Sequence, residues 1–203
     1  MISHEHKFIF VHIPKCAGCS LKEHLQENSC GELINSGHKT LNKILEDLGS
    51  EVKDYYKFTF VRNPWDRMVS LYFFWRNQTP DSPFYKWDHK QVEFIKSKNI
   101  SFKDFVKLIS SENSTIHEKP HLYPYIGHFM NDPSSFDFIG KLENFQEDFD
   151  QICAKIGIPK QELKWVNKSK HKHYSEYYND ETRAIVAKKY VKDIEHFGYK
   201  FGE

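Results

Sequence analysis

This sequence has no excess of charge of either sign. Its 29 Lys and Arg stand against 28 Asp and Glu, a formal net charge of +1. A balance this even gives no long-range field to draw a nucleic acid or an anionic membrane, and any anion site must be local. Cysteine is scarce as well, with Cys16, Cys19, Cys30 and Cys153 the only four in 203 residues. Four are too few to staple a chain of this length, and the lone C-x-x-C has no second pair to complete the usual zinc site. Reduced thiols and no metal requirement are the expectation. No early apolar run is long enough to cross a bilayer: the stretch from Phe8 to Ile13 is short and contains His12. A cytoplasmic chain without stable membrane insertion is therefore expected. Internal repeats and low-complexity tracts are also missing.

The chain does hold 39% hydrophobic residues, with 17 Phe and 11 Tyr. Its length suits a single domain spanning 1–203 with a substantial core. The runs Phe8–Ile13 and Tyr56–Val61 read as strands buried on both faces, as in a parallel sheet, and Phe136–Gly140 as a third strand. A short strand is predicted near Glu32–Asn35. Helices are predicted over Leu21–Gln26, Thr40–Leu48, Trp65–Arg76, Ser101–Ile109 and Asn144–Ile156, with one or two more between Asp180 and Phe197. Residues 77–100 are polar with little periodicity and read as loop, part of a loop-rich acceptor-side insertion at about 77–130. The alternation predicts an α/β fold, a P-loop-like central parallel sheet flanked by helices.

The segment "KFIFVHIPKCAGCSLKEHL", Lys7 to Leu25, runs from strand through a short loop into a helix. Three readings are open for it. A redox C-x-x-C would place a thiol at a helix N-terminus, where its pKa falls. An anion-binding loop would use Ala17 and Gly18 for close backbone approach and the first helical amides as donors, with the Lys15 charge and the Ser20 hydroxyl beside them. A plain connecting turn is the third. The Walker pattern is absent, because Lys15 precedes the glycine, so no Mg²⁺ arrangement is implied.

"FTFVRNPWDRMVSLYFF", Phe58 to Phe74, repeats the logic: a buried strand, Arg62 at its carboxyl end, then a helix carrying Arg67 and Ser70. Ligands of open α/β sheets bind beyond the strands' carboxyl ends. Lys15 and Arg62 are thus predicted to meet at one crevice, and two cationic sites suit a nucleotide phosphorylated at both ends of its ribose.

On these residues the sequence resembles a known family. "HIPKCAGCS" is similar to the 5′-phosphosulfate loop, and "VRNPWDRMVSLYFF" to the 3′-phosphate segment, of sulfotransferases that use 3′-phosphoadenosine 5′-phosphosulfate (PAPS). Among these it most resembles carbohydrate sulfotransferases related to heparan sulfate 2-O-sulfotransferase. "FIGKLENFQEDF" and the ending "YNDETRAIVAKKYVKDIEHFGYKF" resemble that group more weakly. The resemblance implies the sulfotransferase fold, PAPS as donor, PAP as product and a hydroxyl-bearing acceptor, a glycan. It implies roles for Lys15 and Ser20 at the 5′-phosphosulfate and for Arg62 and Ser70 at the 3′-phosphate, and Ala17, Gly18 and Cys19 of the same loop are further cofactor-binding candidates. The family loop usually carries threonines where this chain has Cys16 and Cys19, and a thiol donates hydrogen bonds poorly.

The acceptor hydroxyl must lose a proton, and His38 in "NSGHKTL" is the candidate base, at a place where related enzymes often carry a Gly-His pair. His12 reads as packing in the core or under the loop, and Glu143 as a helix-start carboxylate or a second candidate base. Lys168 and Lys170, in the basic run "NKSKHKHY", are candidates to close over the cofactor's phosphates. The reading is a sulfotransferase with Lys15 and His38 as catalytic residues. A non-catalytic PAP- or carbohydrate-binding protein, a nucleotide kinase and a C-x-x-C redox protein are its rivals.

Overall fold

Two near-continuous apolar segments become the central strands of the sheet. The computed structural model describes residues 1–28, 33–111, 120–164, 166 and 171–203. Strand β2 (Phe8–Val11) is buried along its whole length, and β4 (Tyr56–Val61) is buried over its last four residues. They pair in parallel from Phe8↔Tyr56 to Val11↔Thr59. Strand β5 (Phe138–Lys141) pairs in parallel on the other side of β4, from Phe58↔Phe138 to Val61↔Lys141. Two short strands, β1 (Ile2–Ser3) and β3 (Leu33–Ile34), add antiparallel to give the order β3-β1-β2-β4-β5. The sheet is therefore mixed, a parallel core with an antiparallel edge. Strand β1 escapes sequence reading because two residues carry no periodicity.

The chain divides into two compact units, Met1–Arg62 with Tyr123–Lys168, and Asn63–Leu122 with Ser169–Glu203. Among the described residues the first holds the sheet and the helices α1 (Gly18–Asn28), α2 (Leu41–Leu48) and α6 (Phe145–Ile156). Helix α1 buries Leu21, His24 and Leu25, and the His24 ring stands edge-on to Phe149 of α6 at 5.1 Å. Thr40 caps α2 by accepting from the Lys43 amide at 3.2 Å. Gly157 ends α6 in the left-handed region, φ 74°, where glycine bears no Cβ penalty. The Thr59 hydroxyl donates to the Val11 carbonyl at 2.7 Å, adding a side-chain link between the central strands.

The second unit is helical and is built on α3 (Pro64–Asn77), with α4 (Tyr85–Ser97), α5 (Phe102–Leu108), α7 (Asp180–Lys189) and α8 (Val191–Phe197). Asn63 caps α3 by accepting from the Trp65 amide, with Pro64 at the first helical position. Helix α4 corrects the loop expected over 77–100. Its buried stripe is Asp88, Gln91, Val92 and Ile95, at i, i+3, i+4 and i+7, but half of that stripe is polar. Hydropathy therefore hides a helix that the spacing alone supports.

Gly140 of β5 is required by close approach: a Cβ there would lie 2.5 Å from the Phe60 ring, which packs edge-on against Phe145 at 5.3 Å. Gly140→Ala should destabilise the chain by about 1–3 kcal/mol through overpacking. Adding Phe60→Leu should recover part of that loss in urea denaturation. Additive losses in the double variant would remove the steric explanation.

Candidate functional site

The loop after β2 is held in an unusual backbone conformation. Lys15 and Ala17 lie in the left-handed region at φ 67° and 55°, with Cys16 between them outside it. Alternation of this kind is the backbone pattern of anion-binding nests, although the Cys16 amide already donates to the Ile13 carbonyl at 3.4 Å. Each non-glycine residue in that region costs about 1–2 kcal/mol, and strain of this kind persists where the surroundings enforce it. Helix α1 starts at Gly18, so its first unpaired amides lie at the end of the same loop.

Several groups fix the loop. Gly18 sits directly on the His12 imidazole, which a Cβ at Gly18 would approach to 1.9 Å. His12 therefore packs beneath the loop, and only glycine fits above it. Ser20 is buried, and its hydroxyl accepts from the Val166 amide at 2.9 Å. That bond uses an acceptor lone pair and leaves the hydroxyl a proton to donate. The Cys16 thiol is 1% exposed and lies 3.6 Å from the Tyr125 hydroxyl and 3.8 Å from the Pro14 carbonyl. Cys19, at the start of α1, is half-buried. A reactive C-x-x-C needs an accessible thiolate at its first cysteine, and here that sulfur faces inward. Burial also pushes the Cys153 thiol up to about 11, which makes it inert. Cys30 lies outside the described residues.

Arg62 follows β4, as Lys15 follows β2, and parallel pairing puts the two strand ends side by side. The Arg62 guanidinium reaches across, Nη1 donating to the Lys15 carbonyl at 3.3 Å. The two cation-bearing segments thus meet within the first unit, at the carboxyl edge of the sheet. His38 belongs there too. Its Nδ1 lies 3.0 Å from the His12 carbonyl, and the two imidazole centroids are 4.4 Å apart. A carbonyl only accepts, so Nδ1 carries the proton and Nε2 is the basic nitrogen of neutral His38. A cleft of about 150 Å³ opens nearby in sequence, lined by Thr40, Asn42, His128, Asn131 and Asp132 among others.

Ser70 belongs to the second unit, on the buried face of α3. Arg67 is on that face as well, 1% exposed. Burial first, and then the Arg67 charge, lowers the pKa of Lys189. Arg67 is accordingly an interior cation of the helical unit. Lys168 and Lys170 lie outside the described residues. Among the described residues no cluster of His, Cys, Asp and Glu could hold a metal ion, and no helix is long and apolar enough to cross a membrane. Sequence reasoning missed the place of Tyr125, whose only signal was membership of an aromatic, irregular stretch.

The sequence model of the family described as "Sulfotransferase family" matches residues 1–200. Carbohydrate sulfotransferase 9 of Homo sapiens is 26% identical, over 95% of this chain and 47% of that protein. Carbohydrate sulfotransferase 14 of Danio rerio is 24% identical, over 98% of this chain and 61% of its own length. An uncharacterized protein of Archaeoglobus fulgidus is 31% identical over 53% of this chain and 72% of itself. The chain spans about half the length of the first of these relatives. No solved structure matches it.

The contact between Gly18 and His12 generates a test. Gly18→Ala should destabilise the fold by about 1–3 kcal/mol, the usual cost of overpacking. Gly18→Ala with His12→Ala should lose less than the sum of the single variants, because the second change removes the obstacle. A coupling energy of zero in that cycle would rule out the contact as the reason for glycine.

Proposed function

The chain belongs to the sulfotransferase family, and on that premise we propose that it transfers the sulfuryl group of PAPS to a carbohydrate hydroxyl. The observation that carries this reading is the meeting of the Lys15 loop and Arg62 at the ends of two adjacent parallel strands. The donor set fits a nucleotide with two separate anionic groups. A nest of amides and Lys15 suit the 5′-phosphosulfate, and Arg62 stands one strand away for the 3′-phosphate. The bound donor supplies an activated sulfuryl group with a phosphate leaving group. Ser70, Cys19, Lys168 and Lys170 are further candidates for holding it.

Each residue of the site has a distinct task. The loop amides and Lys15 neutralise charge that grows on the bridging and sulfuryl oxygens during transfer, the kind of preorganised stabilisation that carries such reactions. Gly18 lets the loop lie directly on the His12 ring. His38 receives the acceptor proton at Nε2, because its Nδ1–H is committed to the His12 carbonyl. The His12 ring, packed under Gly18 and beside His38, ties the base to the loop. The polar cleft beyond Thr40 is the proposed approach for the acceptor sugar, and similarity to carbohydrate sulfotransferases supports that acceptor class. A cytosolic place of action is part of the same proposal.

Ligand-induced stabilisation tests the donor. PAP should raise the thermal midpoint well above the shifts given by ATP or AMP at equal concentration, since stabilisation follows RT ln(1 + [L]/Kd). Equal shifts from ATP, or a strict Mg²⁺ requirement, would favour a kinase.

Single-turnover transfer from labelled PAPS tests the roles. Lys15→Ala should cut the rate by about 10²–10³, with a smaller loss of PAP affinity. His38→Ala should cut it by about 10²–10⁴ with PAP affinity unchanged. Arg62→Ala should weaken PAP first. Wild-type turnover in His38→Ala would withdraw the base assignment.

A further inference from the structure

Tyr125 makes contacts that the reaction chemistry does not call for. It lies in the first unit and is wholly buried. Its hydroxyl donates to the Arg62 carbonyl at 2.7 Å and accepts from the Arg62 amide at 3.2 Å. Arg62 is the first residue beyond the β4 ladder, which ends at the Val61↔Lys141 pair. Its peptide groups have left the sheet and need partners, and one phenol serves both. The same oxygen lies 3.6 Å from the Cys16 sulfur. The phenolic proton points to the Arg62 carbonyl and the thiol's single proton has the Pro14 carbonyl as its acceptor at 3.8 Å, so sulfur and phenol oxygen meet as a buried contact. The ring is presented by a closed turn, in which the Met130 amide donates to the Tyr125 carbonyl and the Gly127 amide to the Met130 carbonyl, both at 2.9 Å.

We propose that Tyr125 is a positioning residue that fixes the distance between the Lys15 loop and the end of β4. The proposal rests on reading those two segments as the donor's 5′ and 3′ anion sites. It also gives Cys16 a task. The thiol is the loop's end of a buried Cys16–Tyr125–Arg62 chain, and its place is set by the phenol. The Arg62 guanidinium contact with the Lys15 carbonyl is a second, more exposed tie between the same segments, so loss of the phenol loosens the pair without separating it.

A ligand that spans both segments must sense their spacing, while a ligand that touches one need not. Tyr125→Phe removes only the hydroxyl and leaves the Arg62 peptide groups short of a partner. Calorimetry should show PAP binding weakened by about tenfold, the scale of one buried hydrogen-bonding group. Adenosine 5′-monophosphate and adenosine 3′-monophosphate should each weaken by less than about threefold, since each touches one segment. A uniform loss for all three nucleotides would indicate general structural damage and overturn the proposal, as would wild-type PAP affinity.

Amide hydrogen exchange separates this proposal from the donor reading. Tyr125→Phe should speed exchange at Arg62 and across residues 15–20 together. If the wild-type chain binds no PAP, the donor reading falls, and unchanged exchange at either segment removes the positioning role by itself. Should Tyr125→Phe not fold, Cys16→Ala cuts one arm and keeps the phenol. It should speed exchange in the loop and leave Arg62 as it was, and an unchanged loop overturns the proposal.

Discussion

Parallel pairing of β2 with β4 is the constraint on which the site depends. Both strands are buried, so neither can slip by one residue without turning large apolar side chains the wrong way. Their fixed register, Val11 opposite Thr59, brings both chains out of the sheet at the same edge. The segments that leave the two strands are then held side by side. The loop of Lys15 and the backbone of Arg62 are neighbours for that reason, before any side chain is considered. Strand β5 secures β4 from its far side, where Asp137 exchanges hydrogen bonds with Lys57 just before the ladder begins.

The loop itself is costly to hold. Two non-glycine residues in the left-handed region raise its energy, and the surroundings offset this by packing and hydrogen bonding. His12 supports it from below, Ser20 receives Val166, and the buried Cys16 sulfur rests against Tyr125. These contacts hold the loop in one conformation before any ligand arrives, the preorganisation that the proposed anion site requires. His12 has two tasks in this scheme, since its ring lies under Gly18 while its carbonyl sets the tautomer of His38.

The helical unit obeys a different logic, with polar groups buried among aromatics. Asn63 donates to the Tyr174 hydroxyl and to the Lys200 carbonyl, and Tyr174 donates in turn to the carbonyl of Glu203. Trp65 donates to the Arg183 carbonyl, and Tyr178 to that of Trp65. These bonds tie the start of α3 to the segment that runs from Tyr174 to Glu203. Buried polar groups that are satisfied in this way fix one arrangement among many that apolar packing alone would allow.

The sequence by itself determined the elements whose signals are local. Runs of Val, Ile and Phe marked the strands, Thr40 and Ser101 two helix starts, Gly157 a helix end, and Lys15 and Arg62 the residues that leave two strands. The family was legible in those same stretches, because a strand, a small-residue loop and a helix are contiguous in the chain. Helix α4 was not legible, since Asp88 and Gln91 occupy half of its buried stripe. Nor was the orientation of the two cysteines. C-x-x-C spacing says nothing about which sulfur faces inward, and Tyr125, which settles it for Cys16, is 109 residues away. The tautomer of His38 likewise depends on a carbonyl 26 residues earlier. Periodicity and capping act between neighbours in sequence, whereas these contacts exist only after the sheet has closed and brought distant segments within hydrogen-bonding range.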